Sequence, residues 1–277
     1  MPGTTNYGHQ LKVGSASALI TPSLRYTRVT NILPQYGLRG VNPVPWLFIH
    51  GVGSTSQTWS KQHRLPFALQ FCDLPSRPQI LPNHLIVSLA EWCLDLVSEP
   101  AVVVGHSMGG AIAQIMAILN PNAVKALILV GTGPRLPVNP DLLEQLVKNP
   151  EQAVENIARW SLARHYDSAL YEASLAVLQK ISADRILHEL TACSLFDSRS
   201  LLSRYTGPLF LIRGAEDRMT PQVLSDEFLS IRPNMPIYTI PHSGHMVMLE
   251  QPELFNQTLL TIAEQIPGAT GKPRERQ

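Results

Sequence analysis

Short runs of apolar residues alternate with longer amphipathic stretches from Pro45 onward. Trp46–Ile49, Ala101–Val104, Ala126–Val130, Leu209–Ile212 and Ile237–Ile240 are apolar almost throughout. Runs so short, bounded by Gly or Pro, suit strands buried on both faces of a parallel sheet. Ala68–Cys72 is a weaker candidate strand. Between these runs Leu85, Leu89, Trp92, Cys93 and Leu96 share one helical face, as do Leu254, Thr258, Leu259 and Ile262. Strands alternating with helices imply right-handed crossovers, so the expected class is α/β with a doubly wound, mostly parallel sheet.

Two regions depart from the alternation. Residues 1–44 are rich in Gly, Pro, Ser and Thr, with a possible edge strand around Leu24–Leu33 and a turn punctuated by Pro34 and Gly37. From about Pro134 to Tyr205 no strand is evident, only helix-like runs such as Leu142–Val147, Ala153–Ala163 and Ala169–Ile181. The expected organisation is therefore an irregular region over 1–44, a core in two parts over 45–133 and 206–267, and an inserted helical cap over 134–205. The first residues and the tail 268–277 read as loosely ordered.

Composition narrows the function classes. With 44% hydrophobic and 16% charged residues, the 277-residue chain has ample material for a buried core. Its 22 basic and 21 acidic residues nearly cancel without a long run of one sign, which argues against a nucleic-acid partner. Cys72, Cys93 and Cys193 form no CxxC pair and no disulfide framework, favouring a reducing compartment and small-residue packing roles. The N-terminus lacks a basic start with a long apolar stretch, and no segment reaches the ~20 apolar residues of a membrane span. A cytoplasmic location is expected.

The candidate chemistry centres on Gly105–His106–Ser107–Met108–Gly109–Gly110. This G-x-S-x-G follows the strand-like Ala101–Val104 and precedes the helical run Ala111–Ala117, the strand–turn–helix that a nucleophile elbow requires. Small residues at 105 and 109 allow close backbone approach, and the helix N-terminus favours a developing oxyanion through its free N–H groups. The backbone of Met108, next after the serine, is one expected oxyanion donor.

On these residues the chain resembles the α/β-hydrolase superfamily, in its lid-bearing serine-esterase-like branch, over about Pro45 to Ile266. The resemblance implies that fold, a Ser–Asp–His triad and no cofactor or metal. His245, in His242–Ser243–Gly244–His245–Met246 after the Ile237–Ile240 run, lies where the family carries its general base. This is also the strand edge where open α/β sheets bind ligands. His242 is the rival. Asp217, after Leu209–Glu216, matches the family's acid loop, with Glu216 and Asp197 as substitutes. The His50–Gly51–Val52 turn resembles the one whose third residue, here Val52, donates the second oxyanion N–H. His50 and His106 are expected to serve structure rather than proton transfer. The family's usual turn after Asp-Leu-Pro is absent after Asp73–Leu74–Pro75, which leaves that pocket wall undefined.

A serine at the elbow excludes the carboxylate-nucleophile relatives, the haloalkane dehalogenases and epoxide hydrolases. Hydrolysis of a small-molecule carboxylic ester or thioester through an acyl-enzyme is the expected activity. Carbon–carbon hydrolysis or a lyase reaction like that of menaquinone synthesis is the alternative; Arg159, Arg164, Arg185 and Arg199 are expected in solvent, with one of them free to meet a substrate carboxylate in that case. A non-catalytic ligand-binding protein is a third reading.

Overall fold

The computed structural model describes residues 29–32 and 44–270. The expected turn at Pro34–Gly37, the remainder of the N-terminal region and the last seven residues lie outside them. Seven strands form one sheet: β1 (Val29–Ile32), β2 (Pro45–Ile49), β3 (Ala68–Cys72), β4 (Ala101–His106), β5 (Val124–Val130), β6 (Leu209–Gly214) and β7 (Ile237–Ile240). The sheet order is β1-β3-β2-β4-β5-β6-β7. β1 pairs antiparallel with β3, and the other six strands run parallel. The apolar run Ala68–Cys72 is thus a full strand, and β1 falls inside the edge segment anticipated near Leu24–Leu33.

Parallel strands need helical crossovers, and these clothe both faces. The helices are α1 (Pro82–Leu94), α2 (Met108–Leu119), α3 (Pro140–Lys148), α4 (Pro150–Trp160), α5 (Ser168–Leu178), α6 (Ala183–Ser194), α7 (Gln222–Asp226), α8 (Phe228–Ile231), α9 (Val247–Glu250) and α10 (Pro252–Gln265). Alternate residues of each strand feed two separate cores. Leu47, Val103, Leu129 and Leu211 face the layer of α1 and α2, packing with Leu89, Ile112 and Met116. Phe48, Val104, Ile128 and Ile212 face Phe255, Leu259 and Ile262 of α10, together with Trp59. Every residue of β4 and β6 is buried, which explains why these strands read as continuous apolar runs.

Helices α3 to α6 form an insertion between β5 and β6. Asn139–Pro140 and Asn149–Pro150 start α3 and α4: each asparagine side chain accepts a hydrogen bond from the first turn, and each proline occupies a position whose N–H would have no partner. The insertion has its own small core of Leu142, Leu146, Val154, Ile157, Leu178, Ile186 and Leu190. Apart from one isolated antiparallel bridge, Arg135 to Asp197, it carries no strand pairing among the described residues.

Three helix ends fall short of the periodic pattern. α1 stops at Leu94, before Leu96, and α5 stops at Leu178, before Ile181. α4 ends at Trp160 because Ser161 to Ala163 turn their backbone outward to other loops. At the other end of the chain, residues 267–270 pack as a turn with Ala269 buried.

Phe255 is fully buried in the α10 layer. Phe255→Ala should lower the unfolding free energy by about 3–5 kcal/mol in urea titrations. Val223→Ala, on a side chain 72% exposed, should stay within about 0.5 kcal/mol of the parent.

Candidate active site

Ser107 sits between the last residue of β4 and the first of α2, with φ 54° and ψ −119°. That left-handed conformation is strained for any residue with a side chain. Its hydrogen bonds hold it there: the Ser107 N–H donates to the Val130 carbonyl at 2.9 Å, and its own carbonyl accepts from Gly110 N, Ala111 N and Thr132 Oγ1. The two elbow glycines are required by contact. A Cβ at Gly105 would lie 2.3 Å from the Gly109 carbonyl oxygen, and one at Gly109 would lie 2.3 Å from that of Ile49.

The parallel topology brings the other candidates to the same edge. Val52 follows β2, Ser107 follows β4, Asp217 follows β6 and His245 follows β7, all beyond the carboxyl ends of their strands. Asp217 Oδ2 lies 2.9 Å from His245 Nδ1. The carboxylate also accepts from Met219 N, Thr220 N and Thr220 Oγ1, so it can only be the acceptor and His245 Nδ1 must carry the proton. Burial pushes the Asp217 carboxyl up, but the neighbouring His245 and the bonds from His245 and Thr220 outweigh it and hold the carboxyl below its usual range. In the neutral His245 ring the proton on Nδ1 makes Nε2 the acceptor. Ser107 and His245 line one cavity. No hydrogen bond joins them among the described residues, a contact that commonly closes only on substrate binding.

The N–H groups of Val52 and Met108 are taken by no other protein group among the described residues. His50 explains the direction of the first. Leu74 N donates to His50 Nε2, so His50 carries its proton on Nδ1 and donates it to the Gly51 carbonyl at 2.8 Å. In a trans peptide the following N–H, that of Val52, points the opposite way. Burial pushes the His50 imidazole below its ordinary value, which preserves this neutral tautomer. The same bond settles the loop after Asp73, whose carboxylate accepts from Ser56 N.

His106 also has a structural place. Its Nε2 donates to the His245 carbonyl at 3.0 Å, and burial, with His245 beside it, pushes it well below the ordinary histidine value. The rival acids and base are elsewhere. His242 is exposed, Asp197 is paired with Arg199, and the half-buried Glu216 accepts from Arg164 N. None of Arg159, Arg164, Arg185 and Arg199 lines the cavity. Arg185, expected in solvent, is instead ion-paired with the buried Glu189.

Glu189 was not legible as a site residue. From α6 it accepts the Gly53 N–H at 2.8 Å on one oxygen and the Arg185 Nε–H on the other, while Arg185 also donates to the Leu74 carbonyl. The insertion thereby holds Gly53 directly, and His50, on the other side of Val52, through Leu74. The cavity itself encloses about 1050 Å³. Leu142, Ile157, Leu178 and Leu190 from the insertion give it an apolar wall, and Gln57, Ser60 and Lys61 a polar one. No cluster of metal-ligating side chains occurs among the described residues, nor any helix long and apolar enough to cross a membrane.

A family model described as "Alpha/beta hydrolase family" matches residues 46–258. A pimeloyl-[acyl-carrier protein] methyl ester esterase of Pseudoalteromonas atlantica is 27% identical over 233 residues, 76% of this chain and 90% of that protein. The protein of the same name from Proteus mirabilis is 27% identical over 239 residues, 79% of this chain and 92% of the relative. Among solved structures, a thermophilic esterase superposes with a TM-score of 0.71 at 30% identity, covering 87% of this chain and 99% of the other. A Thermogutta terrifontis esterase with malate bound gives 0.72 at 19% identity, covering 87% and 93%, a likeness of fold.

The two buried neutral imidazoles should make stability depend on pH. Both His50 and His106 are held below their unfolded value of about 6.5, so below that pH the unfolded chain takes up protons that the folded chain refuses. Stability should therefore fall as pH drops from about 7.5 to 5.5 in urea titrations. His106→Gln should make that slope shallower by up to about 1.4 kcal/mol per pH unit; an unchanged slope would remove His106 from the explanation.

Proposed function

The chain belongs to the α/β-hydrolase family, and on that footing we propose that it hydrolyses carboxylic esters through an acyl-enzyme on Ser107. Ser107 Oγ attacks the ester carbonyl carbon while its proton passes to His245 Nε2. Asp217, on the far side of the ring, stabilises the imidazolium that forms. The carbonyl π electrons move onto oxygen, and the N–H groups of Val52 and Met108 receive that charge. Collapse of the tetrahedral adduct expels the alkoxide, which takes the proton from His245. Water then enters, gives a proton to His245 and attacks the acyl-serine; the adduct collapses to the acid as Ser107 Oγ takes that proton back from His245.

The single observation that supports this most is the 2.9 Å bond from His245 Nδ1 to Asp217 Oδ2, behind the cavity that His245 and Ser107 both line. It fixes the tautomer that a general base needs. Relatives named for a methyl ester of an acyl-carrier-bound acid make an ester the natural reactant, and the apolar wall suits an aliphatic acyl arm. Carbon–carbon hydrolysis calls for an insertion arginine facing a substrate carboxylate, and none of Arg159, Arg164, Arg185 and Arg199 lines the cavity; Arg218, which does, donates to the carbonyls of Arg159 and Leu162. The insertion acts as the cap of this cavity. Three buried, free cysteines suit a reducing cytoplasm.

Purified protein should turn over p-nitrophenyl esters with acyl chains of about two to twelve carbons, with a preference for chains that fill the apolar wall. Ser107→Ala should lose activity by at least about 10⁴-fold. Equal rates in the two proteins would remove Ser107 from the mechanism.

A further inference from the structure

Beyond the Ser107, Asp217 and His245 set, a second carboxylate stands beside the histidine loop. Glu250, the last residue of α9, accepts the Gly244 N–H on Oε1 at 2.8 Å and the Ala163 N–H on Oε2 at 2.7 Å. Gly244 immediately precedes His245, and Ala163 belongs to the segment that leaves α4. That segment is tied to the histidine loop a second time: the Ser161 carbonyl accepts both the His245 N–H and the Met246 N–H, at 2.9 and 3.1 Å. Three successive backbone N–H groups, 244 to 246, are therefore held by Glu250 and Ser161. The acid loop joins the same segment, since Arg218 Nη2 donates to the carbonyls of Arg159 and Leu162, and Glu216 accepts from Arg164 N.

We propose that Glu250 is a positioning residue for the hydrolase, fixing the His245 loop against the insertion and supplying a second negative charge to the imidazolium formed during acyl transfer. The assignment rests on the ester-hydrolase reading. Both oxygens accept from backbone donors, a geometry that only an ionised carboxylate satisfies on both sides. A glutamine would set an NH₂ against one of the two N–H groups and leave it unpaired. The side chain also lines the cavity. It has no ion-pair partner among the described residues; His245 and Asp217 act on its charge, His106 lies behind the histidine, Arg218 and Glu216 bond to the same insertion segment, and Lys61 and Arg218 line the same cavity. Burial raises the Glu250 carboxyl, against the two N–H bonds and His245, so the clamp starts to release as pH falls from above the usual carboxylate range. While ionised, the carboxylate also favours the imidazolium, so removing its charge by substitution lets the neutral His245 persist to lower pH.

The test compares wild type, Glu250→Gln, Glu250→Asp and a charge control, Glu264→Gln on the exposed face of α10, using p-nitrophenyl butyrate from about pH 4.5 to 9. Glu250→Gln should lower kcat by about 10- to 100-fold with KM changed less than about threefold, and should move the ascending limb of kcat/KM to lower pH by about 0.3 to 1 unit. Glu250→Asp keeps the charge but cannot span both donors, so kcat should fall while the limb stays. Glu264→Gln should change neither. An uncharged variant with a lower rate but an unmoved limb would reduce Glu250 to a structural residue and overturn the assignment. So would wild-type kcat in Glu250→Gln or, if that protein does not fold, in Glu250→Asp. A wild type inert toward esters would overturn the hydrolase reading and this assignment together, whereas an active wild type matched by its Glu250 variants overturns this assignment alone.

Discussion

The crossing of β4 into α2 against β2 is the constraint on which the rest of the molecule depends. Ser107 must occupy a left-handed backbone conformation there, at a cost on the order of 1–3 kcal/mol. Four hydrogen bonds to its N–H and carbonyl, worth roughly 0.5–1.5 kcal/mol each, offset that strain. They come from β5, from α2 and from Thr132, so the elbow holds only if the sheet and the central helix are already in register. The sheet is assembled around this point: β4 is buried throughout, and the helix that follows is buried over most of its length. A close-packed interior transmits any shift of these elements directly to the serine hydroxyl.

Around the elbow the insertion does more than line a cavity. Through Glu189 and Arg185 it grips the turn that carries Val52, and through Ser161, Ala163 and the partners of Arg218 it grips the loops that carry Asp217 and His245. The buried Glu189–Arg185 pair is satisfied on both partners by backbone groups as well as by each other, which is the condition under which a buried ion pair is tolerated. Two neutral histidines complete the frame: His50 aims a peptide N–H, and His106 holds the carbonyl of His245. Their low proton affinity follows from burial, and it keeps them in the tautomers that these bonds require.

Much of this was legible in the chain because it is written locally. The elbow and the short apolar strands are patterns within about ten residues, where periodicity and glycine placement speak directly; Asp217 and His245 stand out only through the family resemblance of their loops. Ala68–Cys72 read weakly because β3 is only partly buried, with an edge strand as one neighbour. The bracing groups were not legible for a different reason. Glu189 meets Gly53 across 136 residues, and Glu250 meets Ala163 across 87. In the chain each is one more polar position on an amphipathic helix, and Arg185 reads as solvated on the same grounds. The end of α4 was overrun for the same cause, since the backbone of Ser161 bonds to a loop more than 80 residues away.

Catalysis as proposed turns on Ser107 being a nucleophile activated by His245. The rate and site of phosphonylation by a fluorophosphonate, followed by peptide mass mapping, test this directly. A single adduct should form on Ser107, at least about 10³-fold more slowly in His245→Ala. No adduct, an adduct on another residue, or equal rates in the two proteins would contradict it.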